Sequence, residues 1–392
     1  MNPSANYDVV IYGATGFTGR LVAEYMNTTY GVGKDVSWAM AGRSLEKLKT
    51  VRDEMGIPKS VDLIVADASD PASLEAMVKS ARCVLTTVGP YQLYGTPLVE
   101  ACATQGVDYV DLSGEVAWMH DMIAAYEDTA KKSGARIVFS CGFDSIPFDL
   151  GVLFLQNEAM REFGTPAIRV KGRMRKMKGT FSGGTAASGR ETMARAMRDP
   201  AVMAVLRNPF SLTGGFDGPD QPHGMSVQED EDFGSWVAPF IMAPINTKNI
   251  HRSNAIMGHP YGTDFVYDEM MLTGPGEAGK AAAEMVAKSN TMGGDDGPKP
   301  GEGPSKEERE AGLYDFALLG ITKNGDRIRA TVTGDKDPGY GSTSKIISEA
   351  AICLVKDCTD LGGGIYTPAA AMGLTLVARL ESHAGLTFSI DK

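Results

Sequence analysis

An apolar stretch that runs directly into a glycine-rich turn and a helical pattern constrains the fold of this chain more than any other feature. The stretch covers Tyr7–Tyr12, and glycines follow at three-residue intervals. This spacing is typical of dinucleotide-binding folds, because it permits a tight turn, a close approach of backbone to pyrophosphate, and a helix packed close to its strand. The N–H groups that begin the helix then face the anion. We expect the cofactor-binding turn to comprise Gly13, Ala14, Thr15, Gly16, Phe17, Thr18 and Gly19.

The first 140 residues alternate between short apolar runs and helical patterns, as in a doubly wound α/β fold. Most runs are continuous, which is typical of parallel strands covered by helices on both faces. Helix starts are marked by Ser44, and by Asp70 with Pro71 after it. The pattern therefore predicts a Rossmann-type parallel sheet. Its expected strands are Tyr7–Tyr12, Val36–Ala41, Val61–Ala66, Cys83–Val88, Tyr109–Leu112 and Arg136–Ser140.

The pattern changes after Pro147 and predicts a second, α+β domain built on a mostly antiparallel sheet. An Asn-Gly turn predicts a hairpin between Leu313–Ile321 and Arg327–Gly334. Order is hard to read between 217 and 304. The stretch Gly293–Pro304 has eight Gly or Pro residues in twelve, which predicts a mobile loop.

Three segments follow from this reading. We expect residues 1–145 to form a dinucleotide-binding Rossmann domain, and residues 146–360 to form an α+β substrate domain with a mobile insertion around 217–310. Residues 361–392 form a C-terminal helix and strand that pack back on the first domain. This arrangement places a cleft at the carboxyl ends of the first-domain strands.

Composition excludes several classes of protein. The 392 residues carry a net charge of −11, which argues against nucleic-acid binding. Five cysteines without a Cys-x-x-Cys pair indicate reduced thiols, and five histidines without ligand spacing predict no metal. The sequence shows no secretory signal and no apolar stretch long enough for a transmembrane segment. We expect a cytoplasmic protein, with peripheral contact at a membrane surface left open.

The residues at the end of the second predicted strand indicate whether the protein binds NAD(H) or NADP(H). An NAD-specific site usually carries Asp or Glu there, whereas this chain has Arg43 and Ser44. A guanidinium group suits a 2′-phosphate, so NADP(H) is favoured, with a solvated turn residue as the alternative for Arg43. Other positions at strand ends are expected near the cofactor: Asp67 beside the adenine, and Val88, Gly89 and Pro90 beside the nicotinamide arm.

Several segments together resemble the saccharopine dehydrogenase-like oxidoreductases, and among them the trans-acting enoyl reductases of bacterial lipid biosynthesis. The resemblance covers nearly the whole chain except roughly 217–310. It implies an NADP-dependent two-domain reductase, often a homodimer, acting on lipid or polyketide acyl chains that are free or carrier-bound. The segments are Gly13–Arg20, Ala41–Arg43, Val88–Gly95, Tyr109–Glu115, Gly142–Gly151, Ser182–Thr185, Asp337–Tyr340 and Thr367–Gly373.

Reduction of a double bond needs a proton donor beside the nicotinamide. Tyr91 and Tyr94 follow the fourth predicted strand and are candidates, with packing at the domain interface as the alternative. Asp144 follows the sixth strand, where a helix cap is the alternative role, and Glu115 has the same ambiguity. The one Tyr-x-x-x-Lys pair, Tyr30 to Lys34, lies at the wrong end of the sheet.

A strand-like stretch carries basic residues at every second position, at Arg169, Lys171, Arg173 and Arg175. Alternation places them on one face, where they would hold an anionic substrate group or form a solvated face, the second being favoured. Ser182–Thr185 would add backbone donors to an anion site.

Three functions remain open at this point. The first is NADPH-dependent reduction of a C=C bond in an acyl substrate. The second is a saccharopine-type C–N oxidoreductase acting on an amino-acid/keto-acid adduct, which requires paired cations for the substrate carboxylates. The third is a non-catalytic NADP(H)-binding regulator.

Overall fold

The computed structural model describes residues 5–33, 35–179, 183–289 and 303–391. Most of the predicted loop Gly293–Pro304 lies outside these residues, as do Ser182 and Lys34. Everything stated below about structure refers to the described residues.

Strands and α-helices have the following bounds. The strands are β1 (Tyr7–Tyr12), β2 (Trp38–Gly42), β3 (Leu63–Val65), β4 (Ala81–Thr86), β5 (Asp108–Val110), β6 (Arg136–Val138), β7 (Ala167–Lys178), β8 (Gln228–Asp230), β9 (Ser235–Pro239), β10 (Val266–Gly274), β11 (Leu313–Thr322), β12 (Arg327–Gly334), β13 (Gly364–Tyr366) and β14 (Leu386–Ile390). The helices are α1 (Phe17–Tyr30), α2 (Leu45–Glu54), α3 (Pro71–Ser80), α4 (Tyr91–Tyr94), α5 (Thr96–Gln105), α6 (Val116–Ser133), α7 (Ile146–Phe163), α8 (Gly183–Arg198), α9 (Pro200–Arg207), α10 (Ala243–Ile256), α11 (Gly276–Lys288), α12 (Lys306–Glu310), α13 (Thr343–Lys356) and α14 (Pro368–Arg379).

The first sheet is parallel, with strand order β13-β6-β5-β4-β1-β2-β3. All six predicted strands belong to it, and the α/β class is confirmed. Except for the edge strand β3, its strands are mostly buried, because helices cover both faces. The order reverses beside β1, which lies between β4 and β2. Ligands of doubly wound sheets bind at this switch point.

The second sheet has strand order β14-β12-β11-β7-β10-β9-β8 and is mostly antiparallel, as predicted. The predicted hairpin of β11 and β12 is confirmed. One pair, β7 with β10, is parallel. The sequence reading missed β10, because it found no order between 217 and 304.

The basic strand β7 is neither a solvated face nor a free anion site. Arg173 is buried, and its guanidinium lies 2.7 Å from Asp230 and 2.9 Å from Asp268. The other three cations are also paired: Arg169 with Asp268, Lys171 with Asp230 and Asp232, and Arg175 with Asp315. Both sequence interpretations of this strand were therefore wrong. The aspartates come mainly from β8 and β10 and the turn after β8, in the part that the sequence left unread.

The region that the sequence left irregular contains the helix α10. Nine of its fourteen residues are buried, and seven of those are polar: Asn246, Lys248, Asn249, His251, Arg252, Ser253 and Asn254. A helix with polar residues on its buried side has no apolar stripe, so periodicity does not reveal it. The described residues between 217 and 310 are thus part of the packed fold.

The division at residues 145 and 360 stays a prediction.

The C-terminal residues join both sheets. β13 pairs with β6 at the edge of the first sheet, whereas β14 pairs with β12 at the edge of the second. Between them α14 packs against α7 and α13. This segment thereby links the two halves of the molecule.

Replacing Arg173 with Met should destabilise the protein strongly. The change removes the buried cation that Asp230 and Asp268 share and leaves each with one partly exposed cation, Lys171 or Arg169. Removing one partner of a buried ion pair costs about 3–5 kcal/mol. Arg175→Met on the same strand is the matched control, because its pair with Asp315 is partly exposed and contributes about 0–1 kcal/mol. Urea unfolding measures both, and equal effects would contradict this account of the strand.

Candidate active site

The glycines of the first turn bring β1 and α1 closer than other residues allow. Gly13 has φ +93°, which residues with a Cβ rarely adopt. A Cβ at Gly19 would lie 2.1 Å from the Gly13 carbonyl oxygen, closer than nonbonded atoms approach. The first N–H groups of any helix have no intrahelical acceptor. Gly16, which precedes α1, supplies no side-chain cap for those of this helix. The turn therefore fits a pyrophosphate.

The other residues of the turn have distinct positions. The Ala14 N–H donates to the Ala41 carbonyl, and the Thr15 carbonyl accepts from Arg20. Phe17 packs edge-on against Tyr340 with ring centroids 5.1 Å apart. Thr18 faces the interdomain cavity described below. Their contacts with the cofactor stay predictions.

The expected 2′-phosphate site lies at the end of β2. Arg43 is exposed and forms no hydrogen bond or ion pair with the described residues, so its guanidinium is available to a ligand. The Ser44 hydroxyl accepts from the Lys47 N–H and caps α2. Asp67 accepts from the Ser69 N–H and hydroxyl, and these bonds lower the pKa of its carboxyl.

A cavity of about 400 Å³ lies between the carboxyl ends of the first sheet and the second domain. Gly89 and Thr18 bring its wall to the phosphate turn, while Val88 and Pro90 flank Gly89. The predicted cleft is therefore present where the nicotinamide arm was expected. Apolar residues from both domains form much of its wall: Leu112, Val116, Phe143, Met193, Leu206, Ile241, Met242 and Ile245.

Tyr91 lines this cavity, but its hydroxyl is engaged by the backbone. It donates to the Thr86 carbonyl at 3.3 Å and accepts from the Leu112 N–H at 3.1 Å. Its ring stacks on Trp118, and burial raises the pKa of the phenol well above its usual range. These contacts support the packing role over proton donation.

Tyr94 is the predicted catalytic residue that does not line the cavity. It is 46% exposed and lies at the end of the short helix α4. Glu115, which does line the cavity, has a structural role, since the carboxylate accepts from the N–H groups of Tyr91 and Gln92 at 2.8 Å each. The geometry thus gives no support to Tyr94 as a catalytic group.

Asp144 lines the cavity, as the sequence suggested. Its carboxylate forms no hydrogen bond or ion pair with any residue that the structure describes. Loss of water around it raises the pKa to about 6. The adjacent Ser145 is instead bound into the fold, where it accepts from the Asn249 side chain at 2.7 Å.

Lys248 is a residue of this cavity that sequence reasoning missed. It lies on α10, is 5% exposed, and is the one cation among the described residues of the wall. Its ammonium donates to the Pro244 carbonyl at 3.2 Å and has no carboxylate partner in the described ranges. Burial lowers the pKa to about 8. A lysine in a stretch without periodicity gave no signal of this position.

The Asp337–Tyr340 motif contributes Gly339 and Tyr340 to the cavity wall. The Asp337 carboxylate accepts from the N–H groups of Tyr340 and Gly341, at 3.0 and 2.7 Å. This capped turn presents Tyr340 to both Phe17 and the cavity. The motif thereby connects the phosphate turn with the second domain.

Fold and site together define an NADP-dependent oxidoreductase of Rossmann type. Residues 9–138 match the family described as the saccharopine dehydrogenase NADP binding domain. The chain is 38% identical over 415 residues to a trans-acting enoyl reductase of Mycobacterium tuberculosis, covering 97% of each, and 38% identical over 403 residues to one of Mycobacterium ulcerans, covering 95% of each. The chain therefore belongs to the trans-acting enoyl reductase family, within the saccharopine dehydrogenase-like oxidoreductases.

Solved structures support the same fold. The L-Glu-forming saccharopine dehydrogenase of Saccharomyces cerevisiae superposes with a TM-score of 0.55 at 12% identity, covering 98% of this chain and 100% of that one. None of the described helices is both long and apolar enough to cross a membrane. The described residues also contain no group of three or more His, Cys, Asp or Glu arranged to hold a metal ion.

Arg43→Ala should weaken NADPH binding by about 10- to 100-fold, because the change removes charge-assisted hydrogen bonds to the 2′-phosphate. NADH, which lacks that phosphate, should bind the variant and the wild type equally. Exposed Arg207 on α9 provides the control, and Arg207→Ala should leave both affinities unchanged. Fluorescence titration measures them. Unchanged NADPH affinity in Arg43→Ala would make Arg43 a solvated turn residue.

Proposed function

We propose that this protein uses NADPH to reduce the C=C bond of an α,β-unsaturated acyl substrate of the lipid or polyketide type. The observation that supports this most strongly is the cavity wall, which is largely apolar with Lys248 as its one cation among the described residues. Such a wall suits an acyl chain with a single carbonyl group. Relatives named trans-acting enoyl reductases support the same reaction class.

The cavity argues against the C–N alternative. An amino-acid/keto-acid adduct carries several carboxylates and needs paired cations to hold them. The cations of β7 that would serve are already paired with aspartates. Within the described residues, the wall offers Lys248 and two acidic side chains, Glu115 and Asp144. The open cavity beside the phosphate turn also favours catalysis over a purely regulatory role.

We assign the residues of the site roles in cofactor binding, substrate binding and proton donation. When bound, NADPH supplies a hydride to the substrate. The glycine turn holds the pyrophosphate and Arg43 the 2′-phosphate, which fixes the depth of the nicotinamide arm. Apolar side chains such as Met242 and Ile245 cover the acyl chain and exclude water. Asp144 holds the proton for the substrate α-carbon, since a pKa of about 6 leaves part of it protonated near neutral pH.

We extend the proposal to the setting of the reaction. The substrate is a carrier-bound acyl group of lipid metabolism, and the protein is a cytoplasmic homodimer that contacts membranes at most peripherally. The functional division remains a cofactor domain over 1–145, a substrate and dimerisation domain over 146–360, and a C-terminal segment over 361–392. Sedimentation analysis distinguishes the dimer from a monomer of 41.7 kDa.

Purified protein with NADPH should consume the cofactor in the presence of an enoyl-thioester but not with amino-acid/keto-acid pairs. The apolar wall accommodates the first class, and the lack of a cation pair among the described residues of the wall disfavours the second. Loss of NADPH absorbance and the mass of the saturated product measure turnover.

The other outcomes separate the alternatives. Turnover of the amino-acid/keto-acid pair would establish the C–N oxidoreductase. Tight NADPH binding without turnover of either class would leave the regulator.

A further inference from the structure

Lys248 and Arg252 are the two buried cations of α10, and Arg252 pairs with Glu127 whereas Lys248 has no side-chain partner among the described residues. Asn246 donates to Glu269 at 2.8 Å, and Asn249 donates to Ser145 at 2.7 Å. Ser253 donates to Asp149 at 2.6 Å. The Lys248 ammonium has only the Pro244 carbonyl, one turn earlier on its own helix. Two of its three protons are therefore without an acceptor among the described residues.

Keeping this ammonium in an apolar wall is costly. A buried cation without a counter-ion loses its hydration, and a structural lysine would normally reach solvent with its flexible stem. Lys248 is only 5% exposed and lines the cavity that begins at the phosphate turn. A group that is expensive to bury and points into a ligand cavity indicates an acceptor on the ligand.

We propose that the Lys248 ammonium binds the carbonyl oxygen of the acyl substrate and stabilises the negative charge that gathers there during reduction. This inference rests on the proposed function and names a residue for it. The cation acts where water is excluded, so its interaction with an oxyanion is much stronger than in solution.

The step balances as follows. The β-carbon of the substrate gains a hydride with its two electrons and forms a C–H bond. The π electrons of the C=C bond move toward the carbonyl, giving an enolate whose oxygen faces Lys248. The α-carbon then takes a proton, which Asp144 holds, and the carbonyl is restored. Lys248 donates hydrogen bonds throughout and transfers no proton, so Asp144 regains its proton from solvent.

Other ionisable groups around the cavity do not duplicate this role. Glu115 and Asp144 are acceptors when ionised, and the Tyr91 hydroxyl is engaged by the backbone. Tyr340 also lines the cavity, but a phenol carries no positive charge. His251, one turn along α10, has its pKa lowered to about 3 by burial and is neutral at working pH.

The test compares Lys248→Met with the wild type on an enoyl-thioester. We expect kcat/KM to fall by about 100-fold or more, as when an oxyanion donor is removed, with NADPH affinity unchanged. Lys323→Met, in the exposed β11–β12 turn, is the control and should match the wild type.

A free enoic acid, assayed in parallel, shows whether Lys248 binds a carboxylate in preference to a thioester carbonyl. Preference for the acid would overturn the assignment.

The pH profile separates a catalytic from a structural role. The wild type should lose activity in two steps as pH rises, through about 6 as Asp144 loses its proton and through about 8 as Lys248 loses its charge. The step near pH 8 should persist in Asp144→Asn and vanish in Lys248→Met. In Lys248→Ala, added ethylammonium should restore part of the activity by occupying the emptied position, which a purely structural defect would not permit.

The outcomes distinguish the two proposals. A wild-type protein that reduces no enoyl-thioester refutes the proposed function, and this inference with it. An active wild type with Lys248→Met within about threefold of it refutes the inference alone.

If the variants do not fold, amine labelling of the wild type tests the inference instead. Bound saturated acyl-thioester with NADP should protect Lys248 from labelling, and an unprotected Lys248 contradicts the proposal.

Discussion

The Asp149 carboxylate is fully buried and accepts hydrogen bonds from the Ser253 hydroxyl and the Ala369 N–H, at 2.6 and 2.9 Å. Ser253 also shares a hydrogen bond with Thr367. These contacts join α7, α10 and the start of α14, three helices that are far apart in sequence. The water-poor surroundings raise the pKa of Asp149 to about 7. Hydrogen bonds are stronger in such surroundings than in solvent. The position of α10 depends on this junction, and with it the wall of the cavity.

The same helix explains which parts of the molecule could be predicted. The first sheet was readable because its strands are continuous apolar runs, and the hairpin because Asn-Gly fixes its turn. The sequence pattern did not predict α10, because its buried side chains are polar. They form hydrogen bonds with residues such as Ser145 and Asp149, about a hundred residues away in sequence. Sequence placed Asp144 at the cavity, but no local pattern could reveal that backbone groups engage the Tyr91 hydroxyl.

The distribution of positive charge connects the fold to the proposed chemistry. On β7, Arg169, Lys171 and Arg173 lie beside aspartates from other strands and turns, where they stabilise the second sheet. Lys248 has no such carboxylate among the described residues and faces the cavity instead. A sequence pattern emphasises the four alternating cations, yet tertiary structure neutralises them. Lys248, by contrast, is the cation that we propose interacts with the substrate.

The proposed reaction reduces a carbon–carbon double bond that is conjugated to an acyl carbonyl. Deuterium transfer tests it most directly: NADPH deuterated at the nicotinamide C4 is supplied with an enoyl-thioester, and the product is analysed by NMR. We expect one deuterium on the β-carbon and a solvent-derived proton on the α-carbon. Deuterium at the carbonyl carbon, or transfer only to a carbon bonded to nitrogen in an amino-acid adduct, would contradict it.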